Sequence, residues 1–181
     1  AAQLSNAEAA KITVSALNAF RLSGNKAVKV ADLLAAAANA SQGEISDMAL
    51  AFQQASAKAH QSGLSINEMV AGLTLLAKAG IQGSDAGTSL RVMLTYLQPK
   101  SKEAAGLMRD LGLEAYDARG QMLPLRDIIE KYSGVLSKLT PKQRDFVINT
   151  IFGQEAQRSA NIILGQGVTA YDKSAKAVDK Q

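Results

Sequence analysis

Glycine and proline punctuate this 181-residue chain at short intervals. Gly24, Gly43, Gly63, Gly80, Pro99, Gly120, Pro124, Pro141, Gly153 and Gly165 leave no long uninterrupted run. These are the residues at which helices end. As one straight helix the chain would reach roughly 270 Å at 1.5 Å per residue. The punctuation instead dictates short helices folded on one another. Start signals sit beside many of the breaks. Ser5 and Glu8, Ser41 and Glu44, and Ser65 and Glu68 all have the S-x-x-E spacing of a capping box. Thr140, Pro141 and Gln143 supply a cap, a first-turn proline and a capping-box partner. Ser101 opens a short helix to about Asp110.

Between the breaks, apolar residues recur at helical spacing. A first helix reaches about Leu22 with Ile12, Ala16 and Phe20 on one side, and Ser23-Gly24-Asn25 is a turn. A second, from about Lys26 to Ala40, carries Val30, Leu33, Leu34 and Ala37. A third carries Ile45, Met48, Ala49, Phe52 and Ala55 and stops near Ser62-Gly63. Ile66, Met69, Val70, Leu73 and Ala77 give the next helix one apolar face, and Gly80 suits the left-handed residue that ends it. Asp85 caps a following helix whose face is Ala86, Leu90, Met93, Leu94 and Leu97. Later, Ile128, Tyr132, Val135 and Leu139 form one face. The helix opened by Thr140 ends near Phe152-Gly153, and another covers about Glu155 to Leu164. From Val168 onward a last helix, rich in Lys, Asp and Ala, is expected to be weakly anchored and to fray, or to continue into further sequence.

Residues 113 to 123 break this pattern. Leu113 to Tyr116 and Gln121 to Leu123 flank Asp117-Ala118-Arg119-Gly120. Asp117 and Gly120 suit a type I turn followed by a left-handed residue, which predicts a small two-stranded hairpin packed on helices. The expected fold is therefore mainly α, a compact multi-helix array with one small β-hairpin near residues 113–123. No repeat or Pro-rich linker divides it, and Gln98-Pro99-Lys100 marks a soft boundary.

Composition narrows the function classes. The chain is 47% hydrophobic and 4% aromatic, with no cysteine. Disulfide and thiolate chemistry are excluded, and no run of about 18 apolar residues offers a membrane span. No signal peptide is visible. Net charge is +4, but the basic residues are scattered rather than clustered, which reads as a solvated surface and not as a sequence-specific nucleic-acid site. The chain begins at Ala1, which reads as a piece of a longer protein.

Each chemical candidate is better explained by structure. Gly80, Gly83 and Gly87 imitate a phosphate loop, yet a helix precedes them and no Gly-Lys-Ser/Thr follows, so capping and close packing are expected. His60 is the single histidine, without the spacing of a metal ligand or a triad companion. It is read as a surface residue. Nothing marks a pair of convergent carboxylates. No catalytic, metal or cofactor residue is assigned, and the residues singled out are turn and cap positions: Gly80, Gly83, Asp85, Gly87, Asp117, Gly120 and Gly153.

Three runs carry a resemblance: AGIQGSDAGTSLRVML in the centre, LGLEAYDARGQMLPLRDII at residues 111–129 and IFGQEAQRSANIIL at 151–164. A looser one covers residues 15–41. Together they resemble the core region of phage tail tape-measure, or minor tail, proteins. The resemblance implies a non-enzymatic virion component packed in the tail tube, whose length sets tail length. It implies assembly chaperones, tail tube and tail tip as partners, self-association in the tail, and location in the virion tail after assembly in the host cytoplasm. The alternatives are a helical adaptor binding a partner protein and, third, a wall-degrading domain of the same particle.

Overall fold

A computed structural model describes residues 6–179, with side chains from residue 10 onward. Among the described residues there are nine α-helices and no strand. They are α1 (Asn6–Ala19), α2 (Ala27–Ser41), α3 (Ile45–Ser62), α4 (Ile66–Lys78), α5 (Gly83–Tyr96), α6 (Lys102–Asp110), α7 (Leu125–Leu136), α8 (Pro141–Ile163) and α9 (Gly167–Asp179).

The centre of the array is α4. It opens on the Ser65–Glu68 capping box, with the Glu68 amide donating to Ser65 Oγ at 3.2 Å and the Ser65 amide donating to Glu68 Oε2 at 2.9 Å. It closes on a Schellman motif, in which the amides of Ile81 and Gly80 donate to the carbonyls of Leu76 and Ala77. Gly80, at φ +85°, is the residue that permits it. One apolar face was expected, but every residue from Met69 to Ala77 is buried. The reason is small side chains on the remaining faces. Ala71, Gly72 and Thr74 let helices pack all round, and Thr74 satisfies its hydroxyl on the Val70 carbonyl at 2.8 Å. Helices α2, α3, α5, α8 and α9 surround α4. A single cluster of buried side chains runs from Ala16 to Val178.

Several helix ends differ from expectation. The first helix stops at Ala19 instead of Leu22, because Arg21 turns left-handed at φ +51° and the Leu22 amide bonds back to the Leu17 carbonyl. Ser41 and Glu44 do not form a capping box. Ser41 is still the last residue of α2, its hydroxyl donating to the Ala37 carbonyl, and Glu44 precedes α3 without a side-chain cap bond. Left-handed Gln42, at φ +56°, ends α2 one residue later than the Ser41 cap would allow. The proposed Ser5–Glu8 box lies outside the described residues. The Thr140–Gln143 box is present.

The hairpin reduces to an isolated antiparallel bridge between Tyr116 and Met122. Its turn is formed. The Gly120 amide donates to the Asp117 carbonyl, and Asp117 Oδ1 accepts from the amides of Arg119 and Gln121, both at 2.9 Å. What is missing is length. The Leu113 amide is held by the Met108 carbonyl at the end of α6, and Pro124 begins α7 on the other side. One bridged pair is all that fits between these anchors. Gly120 has φ +76° and open space where a side chain would be. Gly120→Val should therefore cost about 1 kcal/mol or more from backbone strain alone. An unchanged melting temperature would contradict this.

The last helix is anchored, contrary to the expectation that it frays. Tyr171, Ser174 and Val178 are buried, and α9 packs across α2, α4 and α7. Its polar residues fasten it. Arg126 donates through Nε and Nη2 to Asp172 at 2.9 and 3.0 Å, Lys78 donates to Ser174 Oγ at 3.2 Å, and Asn67 donates to Asp179. Polarity misled because these Lys- and Asp-rich turns are paired across helices. The hydrogen bonds from Arg126 hold the Asp172 carboxyl below its ordinary value. A carboxyl lowered on folding stabilises above its unfolded pKa and loses that contribution as pH falls through the folded one. Asp172→Asn should therefore lower the melting temperature at neutral pH, and the difference should vanish in acid. A deficit that persists below the carboxylate range would contradict the pairing.

Candidate functional site

Four of the seven singled-out residues converge on α5. Gly83, with φ +58°, opens this helix, and a side-chain carbon there would sit 3.3 Å from Asp47 Oδ1 of α3. Gly87 is buried one turn on. A Cβ built on it would lie 2.7 Å from Gln54 Cβ and 2.9 Å from the Ala51 carbonyl carbon, with the Ala51 oxygen closer still. Real Cβ atoms do not approach so closely. Gly87 is thus the point at which α5 and α3 touch backbone to backbone. Asp85 does not cap α5. The cap position is Gln82, whose side chain makes no cap bond. The left-handed Gly83 starts the helix three residues earlier than expected and leaves Asp85 in the first turn, where a carboxylate suits the helix dipole. There it accepts from Arg158 Nη2 of α8 at 2.8 Å.

Gly153 faces the other end of α5. Its φ of 58° and ψ of −171° break α8 into two helical halves, and its Cβ position is 3.8 Å from the Tyr96 ring. The Tyr96 hydroxyl donates to Glu155 just past the break at 3.1 Å. That bond, first, and burial, second, raise the Tyr96 pKa. So α5 meets α3 through glycine, and the second half of α8 through Asp85–Arg158 and Tyr96–Glu155. Gly80 sits at the start of the α4–α5 connection. Asp117 and Gly120 lie apart, with Gly120 beside a shallow polar groove lined also by Lys58, Gln61, Gln98, Tyr116 and Gln121.

Sequence reading missed one pivot. Glu68 does more than close its own capping box. Its Oε1 accepts from the Leu125 amide at 2.9 Å, at the first turn of α7. Pro124 precedes that turn and offers neither an N–H nor a side-chain cap. One carboxylate therefore caps two helices 57 residues apart. The local half of this role was legible in the S-x-x-E spacing. The distant half left no signal beyond an uncapped proline.

The titratable groups join helices. Burial raises the pKa of Tyr132 and Tyr171, and the Tyr132 hydroxyl is buried without a partner. His60 is exposed and meets the edge of Phe20 at 5.6 Å between ring centroids. Glu68, Asp85, Glu155 and Asp172 each take a donor from another helix. Among the described residues no group of three or more His, Asp or Glu could hold a metal ion, and no helix is long and apolar enough to cross a membrane. What this arrangement does is fix the angles between helices.

Comparison with known proteins gives that scaffold a context. The tape measure protein of Pneumococcus phage Dp-1 is 37% identical over 172 residues, 95% of this chain. The probable tape measure protein of Escherichia phage P2 is 30% identical over 159 residues, 87% of this chain. The chain spans 15% and 20% of the lengths of these two relatives. No solved structure matches it. A family model described as phage-related minor tail protein matches residues 1–153, up to the Gly153 break. The chain belongs to the phage-related minor tail protein family.

Proposed function

We propose that this chain is a folded assembly unit of a phage tail tape-measure protein, one that docks to other tail proteins and does not itself encode length. The tape-measure role rests on the family match and on the names of the two relatives. The docking role rests on one observation: helices no longer than 23 residues, the longest of them broken at Gly153, fold onto a shared core. A globule of this size has a radius of gyration of about 16 Å. It spans far less than the roughly 270 Å the same residues would cover as one helix. The unit covers residues 1–181, with Gly80, Gly83, Asp85, Gly87, Asp117, Gly120 and Gly153 as turn and packing positions. It works without cofactor or catalysis. Four of its carboxylates, on Glu68, Asp85, Glu155 and Asp172, are taken up by helix-joining partners, which fits a structural part better than a wall-degrading one. Tail tube, assembly chaperones and tail tip are its candidate partners, with self-association in the tail. It would act in the host cytoplasm during assembly and in the virion tail afterwards. In-frame removal of this segment from the full-length protein should abolish tail assembly. Infectious particles with tails shortened in proportion to the residues removed would make the segment part of the ruler and overturn the proposal.

A further inference from the structure

Six Ser and Thr side chains are buried among the described residues. Ser41, Ser56, Thr74 and Ser159 donate to a carbonyl of their own helix, and Ser174 accepts from Lys78. Ser62, 9% exposed at the end of α3, is the exception, and its Oγ is buried without a partner. A buried donor left unpaired costs free energy until a further group takes it up. Ser62 lines the polar groove of about 740 Å³ beside Gly120, a volume in the range of ligand sites. Lys58, Gln61, Gln98, Tyr116 and Gln121 line it too. Among the described residues none of these six side chains makes a hydrogen bond or ion pair within the chain. The scaffold carboxylates, by contrast, are spent on other helices.

The lining identifies the ligand. These residues include one cation and no carboxylate, and Lys58 stands near the carbonyl end of α3, which offsets its charge. A groove so balanced selects for hydrogen bonding and not for charge. Each Gln amide offers two N–H donors and a carbonyl acceptor, the complement of a peptide main chain. Tyr116 packs on the core and burial raises its pKa, so it offers a hydroxyl donor and no open ring face for a sugar. The backbone agrees. The Asp117 amide donates to the Gln121 carbonyl at 2.8 Å and the Leu123 amide to the Ala115 carbonyl at 2.9 Å, bracketing the Tyr116–Met122 bridge. In a pair so bracketed the N–H and C=O of both residues face outward from the ribbon. Among the described residues these four groups have no partner. An extended segment laid along either edge would pair with an N–H and a C=O.

We infer that this groove binds an extended peptide segment of another tail protein, held by main-chain pairing to the Tyr116–Met122 ribbon and by the Gln amides and Ser62. The inference rests on the docking-unit reading and names its surface and the form of its partner. A direct test titrates the isotope-labelled chain with overlapping synthetic peptides that tile the other tail proteins of the same phage. At least one should give saturable shifts confined to the end of α3, Gln98 and residues 115–123. Methylating alternate main-chain nitrogens of that peptide should weaken binding about tenfold or more, because it removes the pairing donors. Gln61→Ala, Gln98→Ala and Gln121→Ala, all at exposed positions, should weaken it about fivefold each. Ser62→Ala should weaken it similarly without lowering the melting temperature, because the hydroxyl it removes has no partner in the free chain. Failure of every peptide, shifts elsewhere, or indifference to N-methylation and to the Gln variants would overturn the inference. So would chitotriose filling the groove while the peptides stay inert, which would make it a sugar site. A concentration-dependent dimer protecting the same amides would overturn it too, giving the groove to a second copy. In the full-length protein, the triple Gln→Ala variant should block tail assembly as deletion does. If deletion blocks assembly and the triple variant does not, the groove is not the docking site while the docking-unit reading stands. If deletion leaves assembly intact, that reading falls whatever the peptides do.

Discussion

Gly87→Ala is expected to destabilise the fold by about 3 kcal/mol, the upper part of the range for overpacking a filled interior. Alanine is the better helix former by about 1 kcal/mol, so propensity alone predicts the opposite sign. Contact geometry decides. The added methyl would have to lie 2.7 Å from Gln54 Cβ and 2.9 Å from the Ala51 carbonyl carbon. The Ala51 carbonyl oxygen is closer still, and both Ala51 atoms belong to the α3 backbone, which cannot step aside as a flexible side chain can. Relief requires α3 and α5 to separate, and that loosens Phe52, Leu90 and Met93 between and around them. Two other helical glycines isolate the cause. Gly134, on α7, has nothing within 4 Å of its Cβ position, and Gly134→Ala should stabilise by about 1 kcal/mol. Gly72, on α4, would place its methyl at ordinary contact distance, 3.5 Å from a Leu125 methyl, and should change stability little. Denaturant midpoints for the three variants check the ranking. A Gly87→Ala protein as stable as the parent would show that α3 and α5 are not in backbone contact.

The second large effect is Glu68→Ala, expected to cost about 2–3 kcal/mol. An N-cap interaction contributes about 1 kcal/mol, and here one side chain serves two helix starts. Its loss leaves the Ser65 amide and hydroxyl without their carboxylate and the part-buried Leu125 amide without an acceptor. Glu68→Gln keeps one oxygen for Leu125 and loses the acceptor facing Ser65, so it should fall between the two. Hydrogen exchange gives the sharper readout. Glu68→Ala should raise exchange at the first turns of both α4 and α7. Loosening of α4 alone would mean that the bond to Leu125 contributes nothing.

These two residues also show what sequence could and could not give. Caps made by near neighbours were readable, because the chemistry lies within three residues. Ser65–Glu68, Ser101 and Thr140–Gln143 are of that kind. Ser41–Glu44 has the same spacing and fails, because Gln42 turns left-handed and carries α2 through Ser41. The identity of α4 as the central helix was not readable. A stripe of Met69, Val70, Leu73 and Ala77 looks the same whether the opposite face meets water or Ala-sized neighbours. The anchoring of α9 was hidden for the converse reason. Its Asp172 and Ser174 look like solvated positions until Arg126 and Lys78 are brought beside them. At residues 113–123 turn chemistry was legible and strand length was not, since the anchors at Leu113 and Pro124 are set by the packing of α6 and α7.

The central claim is that this segment matters in the tail as a folded surface and not as a count of residues. The most direct measurement replaces it, in the full-length protein, with an uninterrupted helical sequence of the same number of residues and records tails by electron microscopy. A docking unit predicts that particles still lack tails, because length has been conserved and the surface lost. Infectious particles with complete tails would contradict it, and would show that the segment contributes residues to a ruler and nothing more.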